Sequence, residues 1–228
     1  MAANAVEWGY EGPIGPERWA SLSEAYAACG GEQQSPVNIS GVEAGDRAPL
    51  AFAYAGDASA VRNDGHAAHV DFEAGNTLRS GDRTYELASL HMHAPSEHRV
   101  EGAEFAAELH LVHADAAGDF AVVGLLFEPG EASPIVQAIL DAAPAAGETV
   151  DGGVALNASA LVPEGTAYYA YDGSKTTPPC DEGVAWHVMR DPLTISREQV
   201  DGLLAIGGGP TNRPIQPIGS RRIVLAGG

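Results

Sequence analysis

The stretch TYELASLHMH, residues 84–93, alternates polar and apolar residues before it ends in two histidines. Such alternation predicts a β-strand with one buried face. Side chains alternate between the two faces of a strand, so His91 and His93 project from one face and Met92 from the other. Two imidazoles on one strand face are a pair of candidate metal ligands.

A second histidine run, ELHLVH at 108–113, supplies a candidate third ligand. It also predicts a strand, with Glu108, His110 and Val112 on one face. Three neutral imidazoles with an open fourth position are the ligand set of a catalytic zinc. The pattern is not specific by itself, because histidines also occur as hydrogen-bonding groups in cores and on surfaces. Metal ligands and structural histidines therefore both remain interpretations at this point.

Further short strands are predicted along the chain, separated by Gly, Pro, Asp and Asn turns. Besides those above they are AFAYA, HVDFE, FAVVGLLFE, AYYAY, VAWHVM and RRIVLAG. Helices are predicted at 133–143, where Ser133 precedes a proline, and at 196–206, where Ser196 is followed two positions on by Glu198. The expectation is one mainly β domain over residues 1–228, with a large sheet buried on at least one face.

Charge is the unusual feature of the composition. The sequence has 31 acidic and 12 basic residues, a formal net charge of −19, and one lysine, Lys175. Nucleic acid and anionic membranes would be repelled, and the longest apolar run, AVVGLLF at 121–127, is too short to span a membrane. Two interpretations remain: an ordinary acidic surface, or adaptation to high salt, where screening suppresses self-repulsion.

The two cysteines, Cys29 and Cys180, form no local metal or redox motif. They are either a disulfide closing a loop of roughly 150 residues or two buried thiols. A disulfide would indicate an oxidising compartment. The start MAANAVEWGY has no basic residue followed by an apolar core, so we expect a secreted form to have lost its signal peptide already.

Nine segments together resemble the α-class carbonic anhydrases, in order and spacing, along nearly the whole chain. They are WGY (8–10), PERW (16–19), QSPVNI (34–39), NDGHAAHV (63–70), LHMHAPSEH (90–98), AELHLVH (107–113), SKTTPPC (174–180), VAWHV (184–188) and NRPIQP (212–217). The APSEH and TTPPC forms and the cysteine positions look most like bacterial periplasmic or secreted members. The resemblance implies an α+β fold with a large twisted, mostly antiparallel sheet and peripheral short helices, and a Cys29–Cys180 disulfide.

The resemblance also implies a catalytic centre. Zn²⁺ would be held by His91, His93 and His110. The metal lowers the pKa of its bound water to about 7, for which carbonic anhydrase is the standard example, and the resulting hydroxide attacks CO₂ to give bicarbonate. Thr176 would orient the hydroxide and donate its own hydrogen to Glu97. Activated esters are an expected side substrate.

Supporting roles follow from the same resemblance. Glu108, Ser89, Tyr10 and Tyr171 would lie around the ligands, although Ser89 replaces a glutamine found in many members. His66 would be the proton shuttle, since an imidazole relays protons at neutral pH. His69 and Asp64 would line the water network, and Arg213 would support it from below. The expected wall for CO₂ is Val112, Val122, Thr177, Val184 and Trp186.

The remaining inferences concern Lys175, the other histidines and the partners. Lys175 stands where many relatives have leucine, at the edge of the site. His98, His113 and His187 are expected to be structural. Sulfonamides and inorganic anions are expected inhibitors, and a homodimer is expected by analogy with bacterial members. A silent binding member would typically lack a zinc ligand, whereas all three are present, and a zinc peptidase would need HExxH, which is absent.

Overall fold

The computed structural model describes residues 6–152 and 154–227, and most of its strands belong to one large sheet. The first strands are β1 (Asn38–Ile39), β2 (Glu43–Ala44), β3 (Ala51–Ala53), β4 (Ala58–Asn63), β5 (Ala68–Phe72), β6 (Thr77–Ser80), β7 (Arg83–His93) and β8 (Arg99–Val100). The others are β9 (Ala103–Glu104), β10 (Ala107–Ala114), β11 (Phe120–Pro129), β12 (Thr149–Asp151), β13 (Tyr168–Ser174), β14 (Glu182–Met189), β15 (Leu193–Ile195) and β16 (Val224–Ala226).

The helices are few and short. The α-helices are α1 (Trp19–Leu22), α2 (Pro134–Ala142) and α3 (Arg197–Gly207), and the 3₁₀ helices are Gly12–Ile14, Glu24–Gly30 and Ala158–Leu161. Ser133 and Ser196 cap α2 and α3, as the sequence predicted. The capping box of α3 is completed by Gln199, not by the Glu198 that the sequence singled out.

The large sheet has 13 strands, with the main order β12-β4-β5-β7-β10-β11-β14-β13-β16-β2. Most neighbours are antiparallel; β11 pairs in parallel with β14 and β15, and β16 with β2. The predicted mainly β, mostly antiparallel fold is confirmed. In the middle of the sheet, β7 and β10 pair so that His91 lies opposite His110 and His93 opposite Glu108.

The two faces of the central strands bury different groups. Met92, Leu109 and Leu111 point into the main apolar core, which also includes residues of α2 and α3. The other face of β7 and β10 carries the histidines, and a smaller apolar cluster around Trp186 packs on the neighbouring strands. This alternation is the reason that a polar site can lie directly against a packed core. No helix among the described residues is long and apolar enough to cross a membrane.

Cys29 and Cys180 form a disulfide across 151 residues of sequence. Cys29 lies in the last turn of the 3₁₀ helix Glu24–Gly30, and Cys180 follows the segment that carries Thr176. Both residues are buried and pack in one cluster with Trp19 and Tyr26. The bond therefore ties the N-terminal helices to a loop beside the histidines.

We expect the double replacement Cys29→Ala and Cys180→Ala to lower the free energy of unfolding by about 5 kcal/mol at most, because the loop-entropy model assigns that much to a loop of this length. The check is urea unfolding of the metal-free protein with and without reductant. Reductant should destabilise the original chain and leave the double variant unchanged. An original chain indifferent to full reduction would contradict the expectation.

Candidate metal centre

Three histidine side chains converge on one face of the sheet. His91 and His93 come from β7 and His110 from β10, and one ring nitrogen of each lies within 4.8 Å of the others. The ring centroids are 4.8–5.1 Å apart. The structure thus brings together the three residues that the sequence pattern selected.

Two of the imidazoles are fixed by hydrogen bonds at the ring nitrogen that points away from the cluster. His93 donates from Nδ1 to the carbonyl of Thr211 at 2.6 Å, and His110 donates from Nε2 to Oε1 of Glu108 at 3.0 Å. The Nε2 atom of His93 is then left buried with no hydrogen-bond partner in the described part of the chain. A buried orphan nitrogen is costly unless a ligand satisfies it. The three-nitrogen set therefore fits a metal cation such as Zn²⁺.

His91 is held less completely. Its Nδ1 atom is buried without a hydrogen-bond partner among the described residues. Ser89 lies two positions earlier on the same strand face, but it makes no hydrogen bond with this Nδ1 atom. The short serine side chain leaves this imidazole without the support that the other two have. The altered zinc affinity expected from Ser89 stays a prediction.

Burial keeps all three imidazoles neutral at neutral pH. It lowers the pKa of His91 well below the usual range, chiefly by desolvation, with repulsion from His93 adding to it. Burial likewise lowers the pKa of His93 to about 4 and lowers that of His110. Neutral imidazole is the form that binds metals.

Glu108 organises a buried network behind the ligands. Its Oε1 accepts hydrogen bonds from His110 Nε2 and from His98 Nδ1 at 2.7 Å. Its Oε2 accepts from the backbone N–H groups of Glu97 and His98. Burial alone would raise the pKa of Glu108, but attraction to His98 and His110 holds it well below its usual value. A carboxylate in this position fixes the His110 ring.

The network continues away from the site through Tyr171. The Tyr171 hydroxyl lies 2.7 Å from His98 Nε2 and 2.8 Å from Ser35 Oγ. Because His98 donates from Nδ1, its Nε2 accepts from the tyrosine. His98 is thus structural, as predicted.

Gly124 makes room for this network. It lies opposite His110 in β11, and a Cβ atom there would come within 2.9 Å of Glu108 Oε1. Any larger residue would push the carboxylate away from the imidazole. The glycine in the run AVVGLLF was not recognised as meaningful from the sequence.

Glu97 is buried beside the cluster. Its Oε1 accepts from the backbone N–H of Arg213 at 2.9 Å, and its Oε2 lies 3.5 Å from His93 Nε2. Burial raises the pKa of Glu97 to about 7, against the lowering effects of His110, the Thr176 side chain and the Arg213 N–H. The guanidinium of Arg213 donates to Gln34 and to backbone carbonyls, Cys29 among them, and so links Glu97 to the disulfide region.

A cavity of about 180 Å³ opens above two of the histidines. The lining residues are Arg62, His69, Ser89, His91, His110, Val112, Phe120, Val122, Lys175, Thr176, Thr177, Val184 and Trp186. The wall residues expected from the sequence are thus gathered on one cavity. Arg62 and Phe120 were missed, because nothing in the local pattern of either strand distinguishes them.

His66 lies outside that lining set. Its ring stacks on Trp8, with centroids 4.0 Å apart, and Tyr10 is edge-on at 5.8 Å. His69 does line the cavity, 4.9 Å from the His91 ring, and bonds to Asp64 Oδ2 at 2.9 Å. Asp64 also accepts the backbone N–H groups that follow it, which fixes the turn carrying His66. The ring contacts of Tyr10 are with Trp8, Trp19 and His66, and they include none of the three histidines of the metal site.

The other two histidines belong to the core on the far side of the sheet. His113 pairs with the Tyr54 hydroxyl and donates to the carbonyl of Ala121. His187 bonds to Ser80 Oγ at 2.9 Å. Both were predicted to be structural, and their contacts agree.

Fold and site together define a metal-dependent enzyme with a three-histidine centre on an open face of a β-sheet. The model of the eukaryotic-type carbonic anhydrase family matches residues 14–226, and the chain belongs to that family. It is 37% identical over 225 residues to a carbonic anhydrase of Pectobacterium atrosepticum, covering 98% of this chain and 92% of that protein.

Two solved structures support the assignment. A hyperthermostable carbonic anhydrase identified from an active hydrothermal vent chimney superposes with a TM-score of 0.93 at 39% identity, covering 96% of this chain and all of that one. The α-carbonic anhydrase of Thermovibrio ammonificans, solved with the inhibitor sulfanilamide, gives a TM-score of 0.92 at 36% identity, covering 97% of this chain and all of that one. Zinc is the metal of this family of enzymes, which fits the donor set above.

Proposed function

We propose that this protein hydrates CO₂ to bicarbonate and a proton at the three-histidine centre. The observation that carries the proposal is the cluster of His91, His93 and His110 beside a cavity with an apolar wall. Bound Zn²⁺ supplies a water of lowered pKa as the nucleophile. The test is stopped-flow CO₂ hydration before and after zinc removal, with metal content assayed on the same samples. Stoichiometric zinc without hydration would instead indicate a silent binding protein.

Glu97 and Thr176 are proposed to orient the nucleophile. When ionised, the Glu97 carboxylate only accepts hydrogen bonds, and its Oε2 is buried without a partner among the described residues, so we propose that it takes the Thr176 hydroxyl hydrogen. The threonine oxygen is then left as an acceptor facing the cavity that it lines. A hydrogen-bond acceptor fixed in this way selects one orientation of the attacking oxygen and directs its lone pair at the carbon of CO₂.

The apolar wall is proposed to hold CO₂ itself. Val112, Val122, Val184 and Trp186 all line the cavity, and the last three are buried members of one apolar cluster on which Val112 packs. CO₂ has no net charge and gains from contact with such surface. Thr177 is proposed to contribute the polar edge next to that wall.

His66 is proposed to carry the proton away from the site. Stacking on Trp8 holds the imidazole beside Tyr10, while Asp64 fixes its backbone. Histidine is the side chain best suited to exchanging protons with buffer and with water at neutral pH.

We expect His66→Ala to lower kcat about tenfold or more in weak buffer, since general acid–base groups contribute at least that much. kcat/KM for CO₂ should stay unchanged, because proton transfer follows the conversion of CO₂. Stopped-flow hydration in dilute buffer checks this, and added imidazole should restore much of kcat. An unchanged kcat in weak buffer would remove His66 as the shuttle.

The further proposals concern partners, location and assembly. Sulfonamides are proposed as inhibitors, supported by the sulfanilamide complex of the Thermovibrio ammonificans relative. Inorganic anions are also proposed as inhibitors. Activated esters are proposed as side substrates. The disulfide supports a periplasmic or secreted location. A homodimer is proposed by analogy with bacterial members alone.

Salt adaptation is proposed as the reason for the net charge of −19. Screening by salt weakens repulsion between exposed carboxylates over distances of about 10 Å or less. We therefore expect both melting temperature and hydration activity to rise between low and molar salt. If melting temperature and activity both stayed flat or fell over this range, salt adaptation would be excluded and the charge would be that of an ordinary acidic surface.

A further inference from the structure

Two permanent cations line the cavity of this strongly acidic protein. Arg62 lies on β4, and Lys175, the only lysine of the sequence, follows β13. The Arg62 and Lys175 side chains are 41% and 34% exposed, so they form the rim of the cavity, whereas the His110 side chain at its floor is 2% exposed.

The acidic partners of both cations lie outside the cavity. Arg62 Nε is 3.6 Å from Asp71 Oδ2, and Lys175 Nζ is 3.0 Å from Asp181 Oδ2. Neither aspartate lines the cavity, and no carboxylate is among the described lining residues. The cavity is therefore bordered by the positive member of each ion pair. Exposed pairs of this kind are weak and leave the cations available to other anions.

Lys175 is held toward the cavity by an aromatic ring. Its Nζ lies 4.4 Å from the ring centroid of Phe120, another cavity-lining residue. Its backbone N–H donates to the carbonyl of Asp181 at 3.0 Å, which fixes the turn. A cation–π contact and a fixed backbone restrict the ammonium to this wall.

We propose that Lys175 and Arg62 form an outer anion-binding site at the cavity rim, for carboxylate-type anions that include bicarbonate. Repulsion by the whole protein acts on an approaching anion at long range, and screening limits it to about 8 Å at physiological salt. Within that distance an anion in the cavity faces two cations and no carboxylate among the described lining residues, which favours its entry over that of a neutral ligand of the same shape. The existence of the site is independent of the proposed function; only its use for bicarbonate rests on it.

The first test compares a neutral and a carboxylated ligand of the metal centre. Binding of benzenesulfonamide and of 4-carboxybenzenesulfonamide is measured by calorimetry on the zinc-loaded protein at low salt. Lys175→Met and Arg62→Gln should each weaken the carboxylated ligand about three- to tenfold and change the neutral one less than twofold. Lys175→Arg should keep the preference, and 0.5 M NaCl should reduce it.

A matched control separates the rim from the overall charge. Arg197→Gln on α3 removes the same charge at an exposed position paired with Asp201, and it should leave the preference unchanged. Equal effects of Arg197→Gln and Lys175→Met, or an unchanged preference in Lys175→Met, would overturn the proposal.

The second test needs no metal. Because the chain has one lysine, lysine-labelled protein gives a single side-chain NMR signal, which reports on Lys175 directly. Benzoate should shift it saturably in both zinc-loaded and metal-free protein, benzyl alcohol should not, and Arg62→Gln should weaken the response. A shift restricted to the zinc-loaded protein would place the anion at the metal, and no shift in either form would exclude the site. Failure of hydration would leave this readout intact.

Discussion

His93→Ala is expected to lower zinc affinity by more than 100-fold and to abolish CO₂ hydration with it. Loss of a group that merely positions a ligand costs ten- to 100-fold in affinity, and this change removes a ligand outright. The side chain is buried, its Nδ1 is fixed by the Thr211 carbonyl, and its Nε2 has no other partner in the described chain. Among the described residues, no candidate metal cluster combines His91 and His110 with a histidine other than His93.

The measurement pairs zinc content with stopped-flow hydration. His187→Ala is the matched control, because it removes a buried histidine from the far side of the same sheet. That variant should be less stable yet bind one zinc and stay active. If His93→Ala retained full activity, the ligand assignment would be wrong.

The ligand pair on β7 could be predicted because it depends on local geometry alone. The two-residue period of a strand places His91 and His93 on one face wherever the strand lies. The third ligand was harder, since its use depends on the register between β7 and β10, which sets His110 opposite His91. The sequence pattern alone allowed these histidines to be either metal ligands or hydrogen-bonding groups of the fold. The family resemblance favoured metal binding.

The supports of the site lie too far away in sequence for a local pattern to reveal them. The carbonyl that fixes His93 belongs to Thr211, 118 residues away, and the N–H that binds Glu97 belongs to Arg213, 116 residues away. A backbone group carries no residue-type signature, so composition and spacing are silent about it. Arg62 was missed for a different reason: its place at the cavity follows from the pairing of β4 with β5, which sets Arg62 opposite His69.

The disulfide shows a different limit. Chain entropy alone permits any two distant cysteines to pair, so cysteine count and spacing left a bond and two free thiols both open, and only the family resemblance favoured the bond. What decides the matter is the folding of the N-terminal helices against the loop after β13, where Trp19 and Tyr26 pack with both cysteines. That packing depends on tertiary structure.

Thr176→Ala is expected to lower kcat/KM for CO₂ about 100-fold while zinc content stays at one per chain. Loss of one preorganised hydrogen-bonding group in a catalytic site costs about 10²–10³ in rate. Thr176 lines the cavity, is 4% exposed, and its side chain lowers the pKa of the buried Glu97, which supports the proposed hydrogen bond between the two side chains.

Thr176→Ser is the matched variant, since it keeps the hydroxyl and removes only a methyl group. It should retain activity within about tenfold, because the hydrogen bond to Glu97 can still form. Glu97→Gln tests the same contact from the other side: the amide Nε2 cannot accept the threonine hydrogen, so activity should fall. If Thr176→Ala and Thr176→Ser were equally active, the hydroxyl would have no part in orienting the nucleophile. If Thr176→Ala lost its zinc, the fall in rate would instead reflect damage to the three-histidine centre.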